Sequence, residues 1–419
     1  MSSISPLSEE SLVLREGLFT GSGRVTDLHS SVAGQATPDL TPVAMARRRW
    51  LQLASVSVGA VLTGCGEKPA AKPSMTGAAG DREAINANGK WITAGAEEMG
   101  MDGNSLRTWS DWLGGNGCLV RRNRMVHSWG AATAGTRIWS ASKAIYGYLL
   151  LRAIDQKRLA HLDQRVVEME PRLASLNPEA GNKDATLTWR HLLHQVSGYG
   201  LEEAPGAAYA YNDYAMTLLW ETMVYKVFRV PPGGENAMLE EQLGKPLQFR
   251  KPVTFGRMDS PAFGLISIAM TDLARFGQLC LQDGLWHGSP VVEAAALRSL
   301  IHSPLPAGLP RTSGREKAMI SGARTFGAGK DQDEHWGSYS HAWWVNGRNA
   351  AGQLLWPEVP EDAYGAFGHG GKFALVVMPG QQIAVAWARV RFEAPLPMAG
   401  AGRINLNEAL GKLLKTIKA

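Results

Sequence analysis

The 419 residues include only three cysteines, Cys65, Cys118 and Cys280. Their spacing excludes a structural zinc site. Cys118 lies in an apolar, strand-like run and Cys280 on the apolar face of a helix. Both are expected to be buried, reduced thiols. Basic runs are also missing outside Arg47-Arg48-Arg49. The chain carries 43 Lys and Arg against 38 Asp and Glu, and five of each sign fall within Met1–Gly64. The remainder keeps a mild, dispersed +5, which points away from a nucleic-acid partner. Internal repeats are absent. So is a Gly-x-Ser-x-Gly elbow, which argues against an α/β-hydrolase. Gly371-Lys372 is not a P-loop, because Ala366 stands where its first glycine belongs and Phe373 where Ser or Thr belongs. His191 and His194 are three apart, with neither the Glu of His-Glu-x-x-His nor an evident third ligand, so no metal or cofactor is expected.

Hydrophobic residues make up 45% of the chain, and there are 14 Trp and 47 Gly. That composition suits one large loop-rich globular domain or two lobes. The first part of the chain reads differently. Met1–Ala44 is polar and without helical or strand period, and is expected to be a disordered leader. Translation is expected to start at Met45. Arg47-Arg48-Arg49-Trp50-Leu51 resembles a twin-arginine export signal. Leu51–Leu62 is too short for an ordinary membrane span. Leu62-Thr63-Gly64-Cys65 resembles a lipoprotein box, so residues 45–65 read as a signal with Cys65 as the lipidation site. Residues 66–89 read as a flexible tether. This implies an exported protein held at a membrane by a lipid, facing the periplasm or cell exterior. No obligate protein partner is evident.

From about residue 90 the chain reads as one domain, 90–419. A helix is expected over Asn104–Leu113. Two strands follow, Gly117–Arg122 and Met125–Trp129, turning at Asn123-Arg124. Helices and long loops occupy the middle, including a helix from Thr271-Asp272. Phe373–Met378 and Gln381–Trp387 form a hairpin across Pro379-Gly380, and Asn405–Lys418 closes the chain as a helix. Strands near both ends with helices between them predict an α+β fold. Its antiparallel sheet is built from the two ends and flanked by helices, with a mostly helical lobe inserted. A site is expected in the cleft between lobes.

Ser140-Ala141-Ser142-Lys143 heads an almost wholly apolar helix. Residues three apart on a helix are neighbours, so Ser140 would have Lys143 beside it, near a helix N-terminus that favours negative charge. A helix apolar nearly all round is a buried one. Ser142 faces elsewhere and is not taken as the nucleophile. Two further stretches hold candidate chemistry. Tyr211-Asn212-Asp213 precedes a helix on a loop that can aim a phenol into a cleft. Gly368-His369-Gly370-Gly371 precedes a strand, where glycine lets backbone approach a substrate closely.

In this order the three stretches resemble the motifs Ser-x-x-Lys, Tyr-x-Asn and Lys/His-x-Gly of the serine β-lactamase and penicillin-binding-protein superfamily, class C-like branch. Leu159–Asp163, Arg190–Gly198, Gly264–Leu279 and Tyr339–Asn346 resemble the family's connecting segments. The resemblance spans roughly Met99–Trp387. It implies a β-lactamase/transpeptidase-like fold and hydrolysis of an ester, amide or peptide through an acyl-serine. Ser140 would be the nucleophile, and Lys143 and Tyr211 would share the base role. The backbone N–H groups of Ser140 and Lys372 would form the oxyanion hole, beside Gly370 and Gly371. His369 would orient substrate or help Tyr211 pass its proton. The Lys372 side chain reads as structural. Tyr209, Tyr339, Trp343 and Trp344 are expected to wall the cleft and favour an apolar substrate group.

Two residues depart from the pattern. Gln195 stands where the family often has a second histidine. Asp213 stands where the family has an asparagine that donates an N–H to substrate. An ionised carboxylate cannot donate, and it would favour a protonated Lys143 and oppose a Tyr211 phenolate. The alternative that follows is a weak or inactive cell-wall or β-lactam sensor of the same fold.

Overall fold

A computed structural model describes residues 83–256, 265–320, 334–389 and 402–418. They lie in one compact unit that spans Ser74–Ala419. The expected leader, signal, Cys65 and most of the expected tether lie outside the described residues. The last residues of the expected tether, from 83, belong to the packed domain. Ala84 and Ile85 are already buried, and Ile85 bridges to Trp91.

Among the described residues the first helix is α1 (Gly103–Leu113), followed by strands β1 (Asn116–Arg121), β2 (Arg124–Trp129) and β3 (Gly135–Arg137). A 3-10 turn at Trp139–Ala141 leads into α2 (Ser142–Asp155). The lobe that follows holds α3 (Trp189–Leu193), α4 (Asp213–Glu221), α5 (Glu235–Leu239), β4 (Thr254–Gly256), β5 (Leu265–Ala269) and α6 (Met270–Leu281). The small hairpin β6 (Leu285–Trp286) and β7 (Ser289–Pro290) precedes α7 (Ala294–Ile301). Strands β8 (Tyr339–Ser340), β9 (Trp343–Val345), β10 (Tyr364–Gly368), β11 (Phe373–Met378) and β12 (Ile383–Ala388) return to the sheet, and α8 (Gly402–Leu414) follows.

The main sheet is seven-stranded, with every neighbouring pair antiparallel, in the order β2-β1-β12-β11-β10-β9-β8. The two ends of the domain therefore meet at the β1–β12 pair, as expected. The β1–β2 turn falls one residue earlier than expected, at Arg122 and Asn123, which both take positive φ (49° and 64°). That conformation suits the twist of a two-residue hairpin. A feature not foreseen is the small sheet β3-β5-β4, which ties the inserted lobe to the segment before α2.

Both faces of the main sheet are covered, which is why β11 and β12 read as unbroken apolar runs. Side chains alternate across a strand. Leu375, Val377, Ala384 and Ala386 join one core, while Ala374, Val376, Val385 and Trp387 join the other. Helix α6 lies close on the first face. A Cβ on Gly277 would come within 2.6 Å of Leu375 Cδ1. Helices α1 and α8 cover the second face, where Trp109 Nε1 donates to the Ala409 carbonyl at 2.8 Å. Helix α2 is buried from Ser142 through Leu151, as its all-round apolarity predicts. Each such leucine contributes about 1.5–3 kcal/mol of burial, so the helix carrying Lys143 is firmly seated. Cys118 and Cys280 are buried free thiols, and burial pushes both thiols upward in pKa.

Candidate active site

Ser140 sits in the 3-10 turn rather than in the first turn of α2, which begins two residues later. Ile266 on β5 pins this turn on both sides. Its carbonyl accepts from the Ile138 N–H at 3.0 Å, and its N–H donates to Ser142 Oγ at 3.0 Å. Ser142 is thus committed to structure and wholly buried, while Ser140 is half-buried. Trp139, just before the serine, takes φ +52°. Left-handed backbone at a non-glycine residue costs energy and persists where surroundings enforce it. Gly368, at the end of β10, packs on this turn. A Cβ there would stand 2.1 Å from the Ile138 carbonyl oxygen.

Lys143 Nζ donates to Ser140 Oγ at 2.8 Å and forms an ion pair with Asp213 Oδ1 at 2.9 Å. The lysine side chain is 1% exposed and that of Asp213 13%. The Tyr211 ring covers the ammonium, with its centroid 4.5 Å from Nζ. Ser140, Lys143, Tyr211 and Asp213, about seventy residues apart in sequence, are therefore one cluster.

The Tyr211–Asp213 segment is held from behind. Asn212 caps α4, its Oδ1 accepting from Tyr214 and Ala215 N–H at 3.0 and 3.1 Å. Its Nδ2 donates to the Tyr199 carbonyl at 2.8 Å. Gln195 grips the same segment twice: its Oε1 accepts from the Asn212 N–H at 2.6 Å and its carbonyl from the Ala210 N–H at 2.8 Å. It is fully buried at φ +60°. The sequence marked Gln195 only as a departure; its positioning role depends on a contact no spacing rule describes. Tyr339 was likewise misplaced. It is a buried residue edge-on to Tyr211 at 6.2 Å. Burial, with Tyr211 nearby, pushes its hydroxyl well above the ordinary tyrosine range, partly offset by Lys143.

The turn after β10 supplies the other flank. His369, Gly370 and Gly371 take φ of 45°, 64° and 80°. Trp387 Nε1 donates to the Gly371 carbonyl at 3.0 Å, and the Arg389 N–H to that of Lys372 at 2.8 Å. The Lys372 N–H makes a long 3.4 Å contact with the His369 carbonyl. His369 stands edge-on to Trp139, 5.1 Å between ring centres. Burial first, then Lys372, lowers its pKa below 6.5.

The expected aromatic wall is not in the cleft. Trp343 is fully buried between Phe276 and Tyr364, at 6.0 and 5.4 Å. Tyr209, Tyr339 and Trp344 are also buried. The two-residue strand β8 and the short β9 turn Tyr339, Trp343 and Trp344 into the two cores, where apolar area is worth most. His191 and His194 do not converge on a metal. His191 Nδ1 accepts from the Thr188 N–H. His194 stacks on His341 at 3.6 Å, with Nε2 at the Ser303 carbonyl, and burial lowers its pKa to about 4.

The β-lactamase family pattern matches residues 112–394. The chain belongs to that family, whose fold the structure shows. A penicillin-binding-protein homologue from Caulobacter crescentus shares 14% identity over 75% of this chain and 97% of its own, at a TM-score of 0.52. A class C β-lactamase shares 12% over 77% and 98%, at 0.51. EstCE1, described as a hydrolase with promiscuous acyltransferase activity, shares 13% over 74% and 98%, at 0.50. Identities this low speak to fold alone. No curated protein matches the chain in sequence.

Proposed function

We propose that this protein is a serine hydrolase that cleaves an ester or amide through a covalent acyl-serine. The observation that carries the reading is Lys143 Nζ, 2.8 Å from Ser140 Oγ beneath the Tyr211 ring. A hydroxyl needs a base within hydrogen-bond reach to become a nucleophile. Ser140 Oγ attacks the carbonyl carbon, and its proton passes to the Lys143–Tyr211 pair. The tetrahedral oxyanion is received by the backbone N–H groups of Ser140 and Lys372, where such a donor is worth about 3 kcal/mol of barrier. The same pair returns the proton to the leaving oxygen or nitrogen as the carbonyl re-forms. Water then attacks the acyl-serine by the same route, freeing the acid and Ser140. His369 and the glycines Gly370 and Gly371 shape the substrate side. Membership of the β-lactamase family supports this reading.

The test compares the full chain with Ser140→Ala on p-nitrophenyl butyrate, a chromogenic cephalosporin and a D-alanyl peptide, with intact-mass detection of the acyl-enzyme. Ser140-dependent turnover with a transient adduct is expected. A stable adduct without turnover would replace this reading with the sensor alternative.

We also propose that the chain is an exported lipoprotein anchored through Cys65. Support comes from the Arg47-Arg48-Arg49 cluster and the Leu62–Cys65 box alone. Cys65→Ser should move the protein from the membrane to the soluble fraction; unchanged membrane association would refute the anchor.

A further inference from the structure

We propose that Asp213 makes this site select substrates bearing a primary amine close to the scissile carbonyl. This rests on the reading of Ser140 as nucleophile. A single lysine nitrogen separates the Asp213 carboxylate from Ser140 Oγ, at 2.9 and 2.8 Å. Asp213 Oδ1, the oxygen facing Lys143, is closed to solvent. The 13% of the side chain that remains exposed therefore lies elsewhere on it. A carboxylate has about four lone-pair sites on two oxygens and, when ionised, no donor. A substrate group that docks against Asp213 must itself donate. A carbonyl or ether oxygen placed there meets lone pairs and loses its water, at about 1–3 kcal/mol. An ammonium gains charge-assisted hydrogen bonds. Lys143 already occupies Oδ1, so the substrate ammonium must pair with the other carboxylate oxygen.

Tyr209, Tyr339, Trp343 and Trp344, which might have imposed an apolar preference instead, are buried. The acyl carbon on Ser140 Oγ lies close to Asp213, so the amine belongs within a few bonds of the carbonyl. Amino-acyl amides and esters fit this description.

Alanine p-nitroanilide and propionyl p-nitroanilide differ only in the amine, as do alanine methyl ester and methyl propionate. With the full chain, the amine-bearing member of a pair is expected to show at least a tenfold higher kcat/KM. N-acetylalanine p-nitroanilide, which lacks the charge, should fall back to the level of the propionyl compound. In Asp213→Asn the ratio within each pair should fall towards one. Taking the ratio inside one variant cancels any effect of the substitution on Lys143 that both substrates share. A wild-type ratio near or below one overturns the proposal even if the variant fails to fold, and so does a ratio that Asp213→Asn leaves unchanged. Ser140-dependent turnover with a flat ratio would overturn this inference alone. Absence of Ser140-dependent turnover across both pairs would remove the parent reading and this inference together.

Discussion

Gln195 receives the Asn212 amide proton on its side-chain oxygen at 2.6 Å, inside the core and one residue from both Tyr211 and Asp213. That bond sets where the second motif stands relative to Ser140. Gln195→Leu would leave a buried N–H without an acceptor, at about 1–3 kcal/mol. The expected result is lower stability in urea and a kcat reduced more than KM is raised. Gln195→Glu keeps the acceptor and should recover most of the kcat. Equal kinetics for the two variants would show that the bond does not position the motif.

Ser142 should matter for structure and not for chemistry. Ser142→Ala removes the acceptor of the buried Ile266 N–H and should destabilise the fold by about 1–3 kcal/mol. Acylation should still map to Ser140 by peptide mass. An adduct on Ser142 in the wild-type protein would reverse the assignment.

Gly368→Ala places a Cβ 2.1 Å from the Ile138 carbonyl oxygen, a backbone atom that cannot swing aside. The turn bearing Ser140 must then shift. Overpacking of this kind costs roughly 1–3 kcal/mol, and thermal denaturation should show it. Activity should fall further than stability, since a displacement of about 1 Å in a reacting group can cost a hundredfold in rate.

Glu170 predicts an acid-side stability change. Its side chain is 2% exposed and paired with Arg172 and Lys226, both at 2.8 Å. The Arg172 hydrogen bond, with Lys226, outweighs burial and holds its pKa at about 2, against an ordinary 4.5. A depressed carboxylate stabilises the folded state above its unfolded pKa and loses that contribution as pH falls through the folded one. Glu170→Gln should therefore cost roughly 1–3 kcal/mol at pH 7, after allowance for the exposure of Arg172 and Lys226. The gap between the variants should close between about pH 4.5 and 2. Urea denaturation at several pH values measures it.

His369 should contribute as a neutral imidazole at pH 7, because burial and Lys372 lower its pKa below 6.5. If it assists proton transfer, kcat/KM should fall on an acid limb centred below 6.5, and His369→Gln should abolish that limb. A limb that survives the substitution belongs to another group.

Much of the site was legible because short-range rules govern it. Ser140 and Lys143 are three residues apart at a helix entrance, and such spacing brings side chains together in any fold. The apolar run of α2 required burial, and the unbroken apolar runs of β11 and β12 required two covered faces. The Tyr211 and His369 stretches were found by resemblance, and the structure sets them on two sides of the serine turn. Aromatic walls failed as an expectation because a tryptophan's size shows that it seeks burial, not which surface buries it. Trp343 and Trp344 went into the cores.

The sequence by itself determined the sheet-forming ends, the buried helix and the identity of the Ser140–Lys143 pair, since local period and spacing specify these. Tertiary structure alone decided what surrounds the pair. Ile266 clamps the serine turn from a strand more than 120 residues away in sequence, Gln195 holds Asn212, and Asp213 takes Lys143 as its ion partner. Each is a contact between segments distant in sequence whose geometry follows from packing, so no period in the chain announces it.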